Sequence, residues 1–302
     1  MSSGAELVVD CRNALGEMPL WEATGRRLMW IDVPAGKLFV WDTGGARLEC
    51  HQFEGLLTGL AGTTRGSGLL LAGAREIWEL GASPLRRRTV FTLPEDEPGH
   101  RLNDGAVDQL GRFWVGSMPN NFVEPFRSAQ RLEPTGNLFA VCADGTHRRF
   151  PAALACPNAI CWSPDSRTLY VADSVSGWIY AHDFDLETGS MGARRGFCRL
   201  DGLGMPDGAA VDVRGYLWNA RWGAGALACI SPDGQLERIV RLPVTNPTAC
   251  CFGGPDLNVL YITSARYGLS DEQLNRENHA GGVFAFETET PGLVVGRFAC
   301  GS

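Results

Sequence analysis

No stretch of this chain approaches the ~18 consecutive apolar residues of a membrane span, and residues 1–17 lack an apolar core of signal-peptide length. Basic residues are spread rather than clustered, and the formal net charge is −7. That disfavours a nucleic-acid partner, which needs a basic footprint. The 10 cysteines form no CxxC pair. Most of them, Cys142, Cys161, Cys229, Cys250 and Cys251 among them, sit in strand-like apolar runs. They read as small buried hydrophobes, not as a disulfide frame or a zinc cluster. The five histidines His51, His100, His147, His182 and His279 stand far apart, with no HxH or HExxH. The expectation is a cytosolic (cytoplasmic) protein that binds neither membrane nor nucleic acid.

What is present is glycine, 38 residues of it, with 9 tryptophans, in a chain 44% hydrophobic and 20% charged. That balance is globular, and glycines with scattered aromatics suggest many short strands and tight turns. One pattern recurs six times: an apolar run, a polar turn, then a second strand ending in small or acidic residues. Its copies are 19–33, 60–74, 106–118, 159–174, 209–222 and 249–265. Each is followed by a third strand, at 36–42, 76–80, 136–141, 177–185, 226–234 and 282–287. The turn positions Gly25, Gly66, Gly111, Asp165, Gly215 and Leu257 lie 41, 45, 54, 50 and 42 residues apart. Such a period with about four strands per repeat marks propeller blades. A lone blade cannot cover its faces, so blades stack radially until the ring closes. The spacing predicts an all-β, six-bladed β-propeller as a single domain over 1–302. The segments 6–12 and 293–299 are expected to share the closing blade. A pair of β-sandwiches predicts no such fixed period.

In a propeller the innermost strand of each blade lines the axis, so the first residues of all six converge at one end of the channel. Here these are Glu17, Thr58, Asn103 with Asp104, Asn158, Asp207 and Thr248. All are polar and three carry carboxylates. Any one alone reads as a turn residue. Their repetition at equivalent positions points to a shared ion, because converging buried carboxylates need a cation or must take up protons. The predicted metal ligands are Glu17, Asn158 and Asp207, in the central channel. An all-oxygen set suits Ca²⁺, Mg²⁺ or Mn²⁺ and also admits Zn²⁺. Three protein ligands leave positions open for water and substrate. Two long loops, 117–135 and 264–281, are expected to fold over the mouth and bring Asn120, Asn121, Arg127, Arg266 and Tyr267 close. A shorter loop brings Arg221 and Trp222.

The segments 15–21, 101–118, 157–165, 170–174, 205–218, 242–266 and 280–286 together resemble, in collinear order, the gluconolactonase, regucalcin and senescence marker protein family. The resemblance implies a six-bladed propeller that hydrolyses sugar lactones with one divalent metal ion. It places that family's metal ligands on Glu17, Asn158 and Asp207, and its substrate-holding residues on Arg101 and Asn103. A family glutamate maps onto Asn121, a departure that removes a negative charge beside the sugar.

The expected reaction opens an aldonolactone or aldarolactone with water. Asp207 is the expected general base, Asp104 orients the ligands, and Arg101, Asn103 and Asn121 grip hydroxyls or a carboxylate. Two other readings stay open: a non-enzymatic calcium-binding regulator, and an arylesterase or phosphotriesterase on the same fold. A WD-repeat interaction propeller is disfavoured, since Trp41-Asp42 is the only such pair.

Overall fold

The computed structural model describes residues 4–66, 68–81, 87–122 and 132–300. Strand β1 (Glu6–Val9) opens the chain. Blade one follows as β2 (Gly16–Glu22), β3 (Arg27–Asp32), β4 (Lys37–Asp42) and β5 (Arg47–Gln52). Blade two is β6 (Gly59–Gly62), β7 (Leu69–Ala72), β8 (Glu76–Leu80) and β9 (Arg87–Thr92). Blade three is β10 (His100–Val107), β11 (Phe113–Pro119), β12 (Gly136–Val141) and β13 (His147–Leu154). In blade four, β14 (Pro157–Trp162), β15 (Thr168–Asp173) and β16 (Trp178–Asp185) are followed by β17 (Ser190–Met191) and β18 (Arg195–Arg199), which both pair with β16. Blade five is β19 (Met205–Val211), β20 (Leu217–Trp222), β21 (Ala226–Ile230) and β22 (Leu236–Arg241). Blade six is β23 (Pro247–Gly253), β24 (Val259–Ser264) and β25 (Val283–Glu287), completed by β1. This is the six-bladed, all-β propeller that the repeats predict. The innermost strands β2, β6, β10, β14, β19 and β23 each pack on the next, around the ring and back to β2.

Strand periodicity explains how the ring holds. Successive side chains point to opposite faces of a strand. In β11, Phe113 and Val115 join a cluster with Leu70, Ile77 and Val90 of blade two. Trp114, between them, joins Ile160, Leu169 and Val171 of blade four. Six such clusters fill the six seams between neighbouring blades. Burying each of these large side chains contributes roughly 1.5–3 kcal/mol.

The turns between first and second strands are chemically specified. Asp108 accepts from the backbone N–H groups of Leu110 (3.0 Å) and Arg112 (3.1 Å) and from Trp114 Nε1 (2.9 Å). Asp212 repeats the device two blades on, in blade five, with Arg214, Tyr216 and Trp218 Nε1. Gly111 and Gly215 both stand at φ 85°, where a glycine is favoured.

Ring closure departs from the expectation for 293–299. Blade six is closed by the N-terminal strand alone, with Glu6 opposite Ala285 and Leu7 opposite Phe284. The C-terminal segment instead crosses the far end of the channel. Leu293 N donates to Val211 O of blade five, Phe298 N to Gly62 O of blade two, and Ala299 N to Gly111 O of blade three. Phe298 is fully buried between blades two and three. Its apolar pattern looked strand-like because the segment is buried, not because it is paired in a blade. Loop 264–281 carries a one-turn helix, α1 (Asp271–Arg276), capped by Ser270.

Candidate functional site

Five of the six innermost strands carry a β-bulge at their start, between Glu17 and Leu20, Leu102 and Gly105, Asn158 and Cys161, Pro206 and Ala209, and Pro247 and Cys250. Glu17, Asn103, Asp104, Asn158 and Asp207 lie within these bulges or border them. A bulge unpairs a residue from the ladder and re-aims its side chain. Met18 (φ 53°) and Ala159 (φ 52°), directly after Glu17 and Asn158, occupy the left-handed region that non-glycine residues rarely adopt. Strain of this kind persists where the surroundings over-determine it, as functional sites do.

A one-way chain of hydrogen bonds links three blades. Arg101 Nη1 donates to Asn103 Oδ1 (2.6 Å), and Asn103 Nδ2 donates to Asn158 Oδ1 (3.0 Å). Asn158 Nδ2 donates to Ser174 Oγ (2.8 Å), and the Ser174 hydroxyl donates to Pro206 O (2.6 Å), beside Asp207. A guanidinium only donates, so the chain fixes both amides: the Asn158 nitrogen is committed to Ser174. Its oxygen still has a lone pair for a further partner.

Glu17, Asp104 and Asp207 come from blades one, three and five. Burial is the first cause that pushes all three carboxyls up. Asp207 and Asp104 raise Glu17 further, and Asp104 raises Asp207 further. Asp104 is pushed up to about 6, with one oxygen accepting from Ile160 N at 3.0 Å. Asn158 and Asp207 are buried, while Glu17 and Asp104 keep partial exposure. The two threonines at equivalent positions are otherwise engaged: Thr58 Oγ1 donates to Gly73 O (2.8 Å) and Thr248 Oγ1 to Gly16 O (2.5 Å).

Among the described residues no group of three or more His, Cys, Asp or Glu forms a ready metal cluster. The candidate set here is two carboxylates and one amide oxygen, all hard donors. Mutually repelling acids plus an oriented amide oxygen fit an oxygen-preferring divalent cation. Burial pushes the Cys156 thiol up to about 12, which keeps it protonated and a poor nucleophile.

Arg101 is buried, and its Nε and Nη2 both donate to Asn121 Oδ1, at 3.0 and 2.8 Å. Its guanidinium lies 4.8 Å from the Phe122 ring centre. Phe122 packs on Tyr267 and Tyr267 on Trp222, with ring centres 5.7 and 6.4 Å apart. This aromatic wall borrows from the loops of blades three and six and the end of β20. Arg221 does not join the rim. Its Nε, Nη1 and Nη2 bond Leu203 O (2.8 Å), Asn219 Oδ1 (3.0 Å) and Gly204 O (2.7 Å). Asn219 in turn donates to Asp207 O (2.6 Å). Arg221 therefore braces the backbone behind Asp207. Arg127 lies outside the described residues, and Asn120 is exposed, its Oδ1 accepting from Phe122 N. Arg266 is partly exposed, its backbone N–H bonded to Ala14 O.

Beneath the carboxylates lies a cavity of about 210 Å³, lined by Leu60, Ile160, Ala209 and Cys250, with Leu293–Gly296 at its far end. Its apolar walls explain why the carboxyls above it are so poorly solvated.

Sequence reading missed Ser174, Asn219 and Phe122. Ser174 follows Asp173, which pairs opposite Pro157, so its place is legible only from the register.

The region described as SMP-30/Gluconolactonase/LRE-like matches residues 15–266. Regucalcin of Gallus gallus is 32% identical over 284 residues, covering 92% of each chain. A solved structure of a calcium-binding protein, regucalcin, from Agrobacterium tumefaciens superposes with a TM-score of 0.88 at 26% identity, covering 98% of this chain and 97% of that one. A gluconolactonase from Xanthomonas campestris shares the fold, with a TM-score of 0.72 at 22% identity over 96% of this chain and 90% of that one. With its matched region spanning five of the six blades and the start of the sixth, this chain belongs to the SMP-30/gluconolactonase/LRE-like family.

Proposed function

We propose that this protein hydrolyses a sugar lactone to the sugar acid, with one divalent cation held by Glu17, Asn158 and Asp207. The single observation behind this is the pairing of two arrangements at one channel mouth. One is the acid-and-amide set of blades one, four and five. The other is the hydrogen-bonded Arg101–Asn103–Asn121 group beside an aromatic wall. A calcium-binding regulator needs only the first arrangement. An arylesterase pocket calls for an apolar rim rather than this polar one.

When bound, the cation supplies Lewis-acid polarisation of the lactone carbonyl. The chain's residues do the rest. Asp207 accepts a proton from the attacking water as its oxygen bonds the acyl carbon. The ring carbon–oxygen bond then breaks, and the same proton passes to the departing ring oxygen. One water is added and no other group is consumed. Asn103 and Arg101 hold the sugar by its oxygens, the Phe122 face packs on its carbon–hydrogen side, and Asp104 orients the Ile160 backbone next to Asn158.

The relatives' printed names support both halves of this reading: a calcium-binding regucalcin and a gluconolactonase. The test is acid release from a panel of sugar lactones, after chelation and again with Ca²⁺, Mg²⁺, Mn²⁺ or Zn²⁺ restored. Turnover lost in chelator and recovered with cation is expected. Turnover of none of the lactones, or turnover indifferent to chelation, overturns it.

A further inference from the structure

Building on that lactonase reading, we propose that the natural lactone carries a free carboxylate, as the lactone of a sugar diacid does, and that Arg101 and Asn121 together receive it.

Arg101 is 3% exposed, yet among the described residues every hydrogen-bond partner it has is neutral: Leu102 O, Asn103 Oδ1 and Asn121 Oδ1. The ring it lies against, Phe122, carries no charge either. No carboxylate among the described residues forms an ion pair with it, and Glu17 acts on it only through space. A buried cation without a paired anion is costly, and buried charges are ordinarily paired.

The edge of the guanidinium formed by Nε and Nη2 is the one that matches the two oxygens of a carboxylate. Here that edge meets one amide oxygen, Asn121 Oδ1. Holding its oxygen toward Arg101 leaves Asn121 Nδ2 without a bond to any described residue, and Nη2 keeps a second hydrogen. The pair therefore presents hydrogen-bond donors and a positive charge to whatever enters beside it. A hydroxyl satisfies part of this. A carboxylate accepts from both groups and brings the missing negative charge. A carboxylate at position 121 would instead neutralise Arg101 from within and repel an anionic substrate.

The test compares D-glucaro-1,4-lactone with D-glucono-1,4-lactone, which differ only by a carboxylate in place of a hydroxymethyl group. Charge-assisted bonds are about twice as strong as neutral ones, so kcat/KM for the diacid lactone should exceed that for the neutral one by about tenfold or more. In Asn121→Glu the ratio should fall at least tenfold, mainly through KM of the diacid lactone, with thermal unfolding confirming a folded variant. A native preference for the neutral lactone, or a ratio unmoved by Asn121→Glu, overturns the inference while leaving lactone hydrolysis standing. If neither of these two lactones is turned over, the hydrolase reading rests on the wider panel, and calorimetric titration with the same two lactones still decides. Tighter binding of the diacid lactone supports a carboxylate seat at Arg101, and equal or weaker binding contradicts it.

Discussion

Ser174 holds Asn158 by the nitrogen end of its amide, at 2.8 Å, and the same hydroxyl reaches the carbonyl of Pro206 in the next blade at 2.6 Å. One small side chain thus orients a proposed ligand of blade four and ties it to the strand that carries Asp207. Partners of this kind are worth about 10–100-fold in metal affinity. Ser174→Ala should weaken Ca²⁺ or Mn²⁺ binding by that factor in calorimetric titration while the fold persists. Unchanged affinity would show that Asn158 does not depend on this contact.

Asp207→Asn keeps the shape of the site and removes both the proposed base and a ligand charge. Loss of general-base catalysis costs about 10²–10⁴-fold. Acid release should fall at least that far, measured at cation concentrations that saturate the variant. Near-native turnover would remove Asp207 from the chemistry.

The carboxyl cluster sets a pH dependence. Asp104 lies at about 6 against an ordinary 3.8, and Glu17 and Asp207 move the same way, each chiefly through burial. Between those two values the cation-free folded protein holds more protons here than the unfolded chain, so its stability falls as pH rises. A cation favours the ionised carboxylates and offsets that loss. The rise in Tm on adding Ca²⁺ should therefore be larger near pH 7.5 than near pH 5. A gain that is flat or reversed across this range contradicts the cluster's role.

Arg221 should behave as a brace. Replacing it with Ala leaves Asn219 Oδ1 without its donor in a buried setting and frees the partly exposed carbonyls Leu203 O and Gly204 O. The expected cost is about 2–4 kcal/mol of stability, read by denaturant unfolding, with KM changing little. A large KM effect on a stable variant would place it at the substrate instead.

Much of this architecture is legible in the sequence because a propeller is periodic. Each repeat brings its first residues to the same end of one channel, so phase alone places Glu17, Thr58, Asn103, Asn158, Asp207 and Thr248 there. What escaped was aperiodic. The loops place Tyr267 and Trp222 at the mouth, but Phe122 packs on Tyr267, and Tyr267 on Trp222, across three blades, and no repeat position announces Phe122 or that contact. Arg221 looked like a rim cation because it ends a second strand, yet a buried guanidinium takes whatever carbonyls surround it. The segment 293–299 is apolar enough for a strand but serves as a strap across the channel.

The central claim is that oxygen atoms from blades one, four and five share one cation. An anomalous difference map from crystals grown with Mn²⁺ tests it most directly. The account predicts a single strong peak in contact with Glu17, Asn158 and Asp207. A map with no peak there, or with Mn²⁺ bound only elsewhere, would contradict it.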